Sequence, residues 1–170
     1  MRSAASGWRV RPVSAAEVWP IRHRVLRPRH PLECSRYAED DLPGARHFAA
    51  FHGARPVGAA SVYHEDPPAE FIVPGLEPGQ AWHLRGMATL DEVRGTGAGS
   101  ALLRTALTQA ALAGAAVVWC KAGAPATDFY RKHGFQTLGE EFEIPRIGPH
   151  SFMYWVKIGH HPIGDNAVAS

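Results

Sequence analysis

The sequence predicts a mixed α/β domain in which a single β-sheet of six or seven strands is flanked by helices. Strand and helix patterns follow one another in the order β-α-β-β-β-α-β-α-β-β, which describes helices packed on one sheet. The chain has 170 residues, 45% hydrophobic and 20% charged, which is typical of one globular domain. We expect this domain to span residues 1–158 and the residues 159–170 to form a flexible tail.

The first half of the chain predicts one helix and four strands. The run Ser14-Ala15-Ala16-Glu17 is a capping box, which begins a helix. The residues 52–56 carry a hairpin signal between two strand-like runs. The residues 29–42 are polar and irregular, and 66–78 contain four prolines and predict a loop. The predicted strands are 8–11, 47–52, 57–63 and 81–90.

The second half predicts two helices and three strands. The Ala- and Leu-rich pattern from Ser100 to Leu112 predicts a long helix that Gly114 ends. The short apolar run 116–120 is typical of a buried strand. The remaining predicted elements are a short helix at 127–133 and two strands at 142–144 and 151–158.

The most informative segment is Val93-Arg94-Gly95-Thr96-Gly97-Ala98-Gly99-Ser100, between a predicted strand and a predicted helix. Glycine lets the backbone take a positive φ and approach a ligand closely. The start of a helix leaves amide N–H groups without intrahelical partners at the positive end of its dipole. This combination predicts a site for a phosphate or pyrophosphate. The alternative is a glycine-rich turn that begins a helix and binds no ligand.

Two familiar phosphate loops do not match this segment. A nucleoside-triphosphate loop needs Gly-Lys-Ser/Thr, whereas Gly99 is followed by Ser100 and Ala101. A dinucleotide loop needs Gly-x-Gly-x-x-Gly and an acidic residue about 20 positions later. Here the glycine spacing differs and 105–118 contain no acid. A third pattern, Arg-x-x-Gly-x-Gly, matches Arg94 to Gly99 at every fixed position.

That third pattern resembles the coenzyme A pyrophosphate loop of the GCN5-related N-acetyltransferase (GNAT) superfamily. Two further stretches resemble the same superfamily: Ala126-Thr127-Asp128-Phe129-Tyr130-Arg131-Lys132-His133-Gly134-Phe135, and the strand Leu84-Arg85-Gly86-Met87-Ala88-Thr89. These resemblances cover residues 82–135, and the order of predicted elements extends them over nearly the whole chain. The resemblance implies an acyl-CoA N-acyltransferase fold.

The resemblance also implies site residues. The loop amides would hold the pyrophosphate, and the strand residues would pair with pantetheine, with one amide facing the thioester carbonyl as an oxyanion donor. Tyr130 matches the tyrosine that protonates the leaving thiolate. Lys121 stands where the family often has Asn, and it either reaches a cofactor phosphate or extends to solvent. The implied cofactor-binding residues are Met87, Ala88, Thr89, Arg94, Gly95, Thr96, Gly97, Ala98, Gly99, Ser100 and Lys121.

The reaction also needs a general base, because the amine must be neutral when it attacks. In many relatives the base lies four residues before the pantetheine contact at Met87, which selects His83. Alternation along the strand places His83 on the same face as Arg85, Met87 and Thr89. His150 and Glu141 are weaker candidates. Purely structural roles for His83 and for a core Tyr130 remain the alternatives.

The implied function is transfer of an acetyl group from acetyl-CoA to a primary amine, by direct attack in a ternary complex, without a metal. The acceptor is a small molecule or a peptide: antibiotic, polyamine, amino acid and protein N-terminus all stay open. One alternative is a coenzyme A- or acyl-CoA-binding regulatory module without catalysis, and another is a nucleotide-binding protein.

Composition narrows the class of partner. The formal net charge of +2 gives no strong basic field, so we expect no nucleic-acid partner. No segment approaches the ~20 apolar residues of a membrane span, so we expect no membrane partner. The isolated Cys34 and Cys120 suggest neither a disulfide framework nor a zinc site. We therefore expect a cytoplasmic enzyme, and a homodimer stays open.

Overall fold

The computed structural model describes residues 7–159, so the predicted tail lies outside the described residues except for Gly159. The strands are β1 Arg9–Val13, β2 Arg46–His52, β3 Arg55–His64, β4 Ala81–Thr89, β5 Val117–Gly123, β6 Gln136–Ile144 and β7 Gly148–Val156. The helices are α1 Ala15–Leu26, α2 Ala98–Leu112 and α3 Thr127–Lys132. Short 3₁₀ turns lie at Leu32–Ser35, Ala38–Asp41, Asp91–Val93 and Ala124–Ala126.

The described residues fall into two compact units that share strand β4. The first unit comprises the chain up to Tyr63 together with Leu84–Gln109, and the second comprises His64–His83 together with the chain from Ala110. Hydrogen-bonded strands follow the order β1-β2-β3-β4 in the first unit and β4-β5-β7-β6 in the second. These orders give one mixed sheet of seven strands, which confirms the predicted fold class.

In the first unit, α1 begins at the predicted capping box and buries one face. The backbone N–H of Ser14 donates to Glu17 Oε2 at 2.7 Å, which satisfies an amide at the helix start. Val18 and Ile21 are buried against Ala59 of β3 and Ala88 of β4. These small strand residues let the helix approach the sheet closely.

Helix α2 lies against β3 at Gly58. A Cβ atom at Gly58 would come within 2.7 Å of Leu102 Cδ1 and 3.2 Å of the Ala88 carbonyl oxygen. Any larger residue there would displace the Leu102 side chain and press on the Ala88 carbonyl, so packing favours glycine at this position. This close packing fixes the start of α2 relative to the end of β4.

The irregular segment after α1 is held in the first unit by a buried ion pair. Arg22, which is fully buried, donates to both carboxylate oxygens of Asp40 at 2.7 and 3.0 Å. Tyr63 Oη and Trp19 Nε1 also donate to this carboxylate, at 2.5 and 2.9 Å. Burial alone would raise the pKa of Asp40, but these hydrogen bonds outweigh burial and hold it well below its usual range.

The second unit is built around a stack of rings on one face of its sheet. The Trp119 ring of β5 stacks on His83 of β4 at 3.7 Å between centroids, with 6° between the planes. Phe152 of β7 stacks next at 5.6 Å from Trp119, and Phe71 follows at 4.3 Å from Phe152. Strand β5 pairs in parallel with β4 and antiparallel with β7.

The last hairpin is longer than predicted. Strand β6 begins at Gln136 rather than at Phe142, and its pairing with β7 is interrupted between Leu138 and Phe142. Most of its residues are exposed, since β6 is at the edge of the sheet. Apolar alternation is therefore missing from its first half, which explains why that pattern predicted only the last three residues.

Candidate functional site

The glycine loop of the first unit connects the 3₁₀ turn Asp91–Val93 to α2. Gly95 has a φ of 74° and Gly97 has a φ of 93°, so both glycines use the backbone region that other residues rarely adopt. Helix α2 begins at Ala98, two residues before the predicted start at Ser100. Gly99 and Ser100 are therefore part of its first turn.

The backbone of this loop and the first turn of α2 suit an anionic group. The Ala101 N–H donates to the Gly97 carbonyl at 3.0 Å, so the amides before it stand at the positive end of the helix. The first turn of α2 carries no acidic side chain. A Cβ added at Gly95 would meet nothing within 4 Å, so the backbone there is open to approach. A negatively charged group matches these properties.

Contacts within the first unit hold the loop in shape. Trp8 Nε1 donates to the Thr96 carbonyl at 3.1 Å, which ties the start of the chain to the loop. The Thr96 hydroxyl donates to the Val93 carbonyl. Arg94 forms an exposed ion pair with Asp91 at 3.1 Å and keeps 62% of its side chain accessible. Arg94 thus lies at the surface of the loop, and its exposed ion pair with Asp91 costs little free energy to break.

The three β4 residues predicted to pair with pantetheine precede this loop in the first unit. Met87 and Thr89 are half-buried, whereas Ala88 is buried. Gly86, just before them, has a φ of 68°. A Cβ at Gly86 would come within 2.6 Å of Arg22 Nε, so any side chain there would displace the buried arginine. Glycine at this position thus allows both the positive φ and the close approach of Arg22.

His83, the predicted base, lies in the second unit. Its side chain is 10% exposed to solvent, and its ring stacks flat against the ring of Trp119. Its Nδ1 lies 3.0 Å from Oε2 of Glu65, in the segment after β3. Trp119 Nε1 donates to the backbone carbonyl of the same Glu65 at 2.8 Å. His83 is therefore an imidazole in a fixed orientation with a carboxylate on one nitrogen.

Tyr130, the predicted acid, also lies in the second unit, on α3. Its ring is buried and packs against Phe129 and Phe135 at 5.3 and 5.2 Å between centroids. Burial, with a smaller contribution from Cys120, raises the pKa of Tyr130 well above its ordinary value. Tyr130 thus keeps its proton at neutral pH, and burial makes it a weaker acid than an exposed tyrosine.

The other predicted residues of the second unit lie on separate strands. Lys121 is exposed on β5, opposite Phe152 of β7. His150 Nδ1 lies 2.8 Å from the Gly148 carbonyl, and Glu141 is exposed on the edge strand β6. Neither of the weaker base candidates has the carboxylate–imidazole arrangement that His83 has.

Sequence reasoning selected His83 but missed Glu65. The two are 18 positions apart and are joined by a proline-rich loop, and Glu65 and Trp119 are 54 positions apart. The only sequence signal was an acid just after the predicted strand 57–63. Such a signal does not tell which side chain the acid contacts.

Residues 7–159 contain neither a metal-binding cluster nor a membrane-spanning helix. No cluster of three or more His, Cys, Asp or Glu side chains in this range is arranged to hold a metal ion. Within the same described range, no helix combines the length and the apolar character needed to cross a membrane.

Comparison with known proteins identifies the family. Residues 15–135 match the model of the acetyltransferase (GNAT) family. The chain is 37% identical over 145 residues to the uncharacterized N-acetyltransferase YitI of Bacillus subtilis, covering 85% of this chain and 93% of that protein. Both the extent of the family match and this identity exceed what a shared fold alone would give.

Solved structures share the fold at lower identity. A GCN5-related N-acetyltransferase from Kribbella flavida matches with a TM-score of 0.68 and 17% identity, covering 91% of this chain and all of that one. An aminoglycoside 6'-N-acetyltransferase in complex with coenzyme A matches with a TM-score of 0.68 and 11% identity, covering 87% and 96%. The chain thus belongs to the acetyltransferase (GNAT) family, as an N-acetyltransferase that uses an acyl-CoA donor.

Proposed function

We propose that this N-acetyltransferase moves the acetyl group of acetyl-CoA to a primary amine by direct attack within a ternary complex. The observation that carries the proposal is the glycine loop: Gly95 and Gly97 at positive φ lead directly into the first turn of α2. A backbone with these properties binds anionic oxygens through its amides. The pyrophosphate of coenzyme A supplies such oxygens.

Binding of the donor is assigned to backbone groups of the first unit. The N–H groups of Arg94 and Thr96 already donate to the carbonyls of Asp91 and Val93. The pyrophosphate is therefore assigned to the other amides of the loop as far as Ser100, and the Arg94 guanidinium adds a charge-assisted contact. The residue pairs of β4 with β5 end at His83 and Trp119, while β4 itself continues to Thr89. We assign pairing with pantetheine to this last part of β4, Met87 to Thr89.

Proton transfer is assigned to two side chains of the second unit. The lone pair of the neutral acceptor amine attacks the carbonyl carbon, and His83 accepts the proton that the nitrogen loses as the new bond forms. The carbon–sulfur bond breaks, and Tyr130 donates its proton to the leaving sulfur. Burial raises the pKa of Tyr130, which keeps the phenol protonated but makes it a weaker acid, so the assignment rests on the match to the family tyrosine and not on this shift. A backbone amide of β4 stabilises the charge on the carbonyl oxygen.

Lys121 is assigned to the outer part of the donor site. Lys121 is exposed on its strand, so its long side chain can bring the ammonium group to a phosphate of the bound coenzyme. Such a contact contributes little to affinity, because an exposed ion pair is screened by solvent and salt.

The proposal is tested by measuring thiol release from acetyl-CoA with kanamycin, spermidine, an amino acid and a peptide with a free N-terminus. We expect release above the acceptor-free rate with at least one class and formation of the acetylated amine by mass spectrometry. Tight coenzyme A binding with no product from any primary amine would instead indicate a regulatory module. Protection against heat by ATP or NAD, but not by coenzyme A, would contradict the loop assignment.

The cellular setting is part of the same proposal. We propose a cytoplasmic location, where acetyl-CoA is available and the two cysteines stay reduced. The buried Cys120 and exposed Cys34 are both free thiols, which is consistent with such a compartment. The acceptor is a small molecule or peptide, and light scattering of the purified protein tests whether the chain forms a homodimer.

A further inference from the structure

We propose that Glu65 is a positioning residue for catalysis: its carboxylate holds His83 in the tautomer whose lone pair is on Nε2. This inference rests on the proposed function, because it concerns the base of that reaction. It adds a residue that neither the glycine loop nor the Phe129–Tyr130 stretch indicates. Glu65 itself does not touch the reacting atoms in this assignment.

The contact that this role requires is present at Nδ1 of the His83 ring. Oε2 of Glu65 lies 3.0 Å from His83 Nδ1, within hydrogen-bonding distance. An ionised carboxylate can only accept, so Nδ1 carries the hydrogen. In the neutral imidazole the lone pair is then on Nε2, which is the nitrogen able to take a proton.

The ring and its partner are fixed by the same neighbour. Trp119 stacks on the His83 ring with 6° between the planes, and its own Nε1 donates to the backbone carbonyl of Glu65. Trp119 is only 1% exposed and is itself stacked on Phe152. Movement of the imidazole or of Glu65 would therefore disturb the aromatic core of the second unit.

The proton balance is simple. The amine proton binds to Nε2 and the nitrogen lone pair forms the bond to carbon, while the Glu65 carboxylate stays ionised and stabilises the imidazolium. Ionisable groups on the surrounding elements include Arg85, which follows His83 on the same face of β4 and is paired with Glu39 at 3.1 Å. They also include His64 and Asp66 beside Glu65, Lys121 on β5 and Tyr154 on β7. His64 Nε2 lies 2.6 Å from the Gly79 carbonyl, and Asp66 accepts from the Gly79 N–H, so both are engaged elsewhere.

The test replaces the charge but keeps an acceptor, in the variant Glu65→Gln. Because a nearby carboxylate favours the imidazolium, its loss moves the midpoint of the His83 ring titration to lower pH, by about 0.5 to 1 unit for a partly exposed pair. The acidic limb of kcat/KM moves in the same direction. The titration is followed by NMR without substrate, with the His83 resonance assigned from its loss in His83→Asn.

Two variants sharpen this experiment. Glu70→Gln removes the same charge from an exposed site in the same loop and serves as the matched control, with no expected shift of either midpoint. Glu65→Met also removes the acceptor, so Nδ1–H loses its partner and the tautomer is no longer fixed. We expect kcat to fall about tenfold in Glu65→Met and less in Glu65→Gln, with KM for acetyl-CoA unchanged.

Each outcome decides the inference. Equal His83 midpoints in wild type, Glu65→Gln and Glu70→Gln would overturn it, as would a shifted midpoint with an unmoved acidic limb of kcat/KM. Absence of thiol release from wild type with kanamycin, spermidine, amino acid and peptide would contradict the proposed function and the catalytic role together. That failure is distinguishable, because the substrate-free titration still reports whether Glu65 acts on His83.

Discussion

The glycine loop and the pair formed by His83 and Glu65, called the His83 pair, are built from different parts of the chain. The loop uses backbone: two glycines at positive φ and the first turn of α2, with the Trp8 indole supporting the Thr96 carbonyl. The His83 pair uses side chains that come from distant parts of the second unit and meet on a stack of rings. The first region is suited to hold an anion and the second to move a proton.

This difference explains what a mutation can do in each region. Apart from a change to proline, a substitution leaves the backbone donors in place, so the loop is damaged mainly by filling its space, straining its φ angles or removing a contact that supports it. The His83 pair, in contrast, depends on single atoms of single side chains. We therefore expect variants of the loop to change affinity for acetyl-CoA and variants of the second region to change turnover.

The largest effect is expected for Gly97→Glu. A side chain at φ 93° strains the backbone, and its carboxylate would occupy the place of the pyrophosphate at the positive end of α2. We expect calorimetry to show affinity for coenzyme A falling at least ~100-fold. Gly114→Glu, at φ 106° near the other end of α2, is the matched control and keeps wild-type affinity. Unchanged affinity in a folded Gly97→Glu protein would remove the loop from the site.

The next effect is expected for Tyr130→Phe. Loss of the hydroxyl removes the proton donor to the leaving sulfur, so kcat should fall about 10²-fold while affinity for acetyl-CoA stays within twofold. Steady-state thiol release and calorimetry measure the two quantities. Tyr154→Phe is the matched control, because Tyr154 is also a buried tyrosine of the second unit whose pKa burial raises. Wild-type turnover in Tyr130→Phe would mean that this tyrosine is part of the core only.

A smaller effect is expected for Trp8→Phe. The substitution keeps an aromatic ring but removes the donor to the Thr96 carbonyl, a contact of 3.1 Å. Loss of one hydrogen bond corresponds to a rise in KM for acetyl-CoA of about two- to tenfold, with kcat unchanged. Trp155→Phe on β7 is the control. A fall in kcat instead would show that the backbone region also affects the chemical step.

The smallest effect is expected for Lys121→Met. Lys121 is exposed on β5, and an exposed charge contributes little, so KM for acetyl-CoA should rise about two- to fivefold and less at high salt. Lys132→Met removes an exposed lysine from α3 and is the control. A KM for Lys121→Met equal to that of the control at every salt concentration would leave Lys121 outside the donor site.

The contrast between a loop built from backbone and a pair of side chains distant in sequence also explains how much of the site the sequence could predict. The spacing of the glycines at 95, 97 and 99 predicts the loop, because backbone conformation there depends on residues adjacent in sequence. For the same reason the capping box at Ser14 predicted the start of α1 correctly. Glu65 could not be predicted, because its contact with His83 exists only after β3, the proline-rich loop and β4 have folded. The first half of β6 escaped prediction for a different reason, since an exposed edge strand needs no apolar alternation.

The buried Asp40 has a practical consequence for redesign of the enzyme. One carboxylate, accepting from Arg22, Trp19 and Tyr63, anchors the irregular segment, while neighbouring residues such as Leu32, Glu33 and Cys34 are exposed. A library of variants can therefore randomise those exposed positions while Asp40 is left unchanged. Substitutions in such a library carry little risk to folding, because the anchor and the varied surface are separate residues.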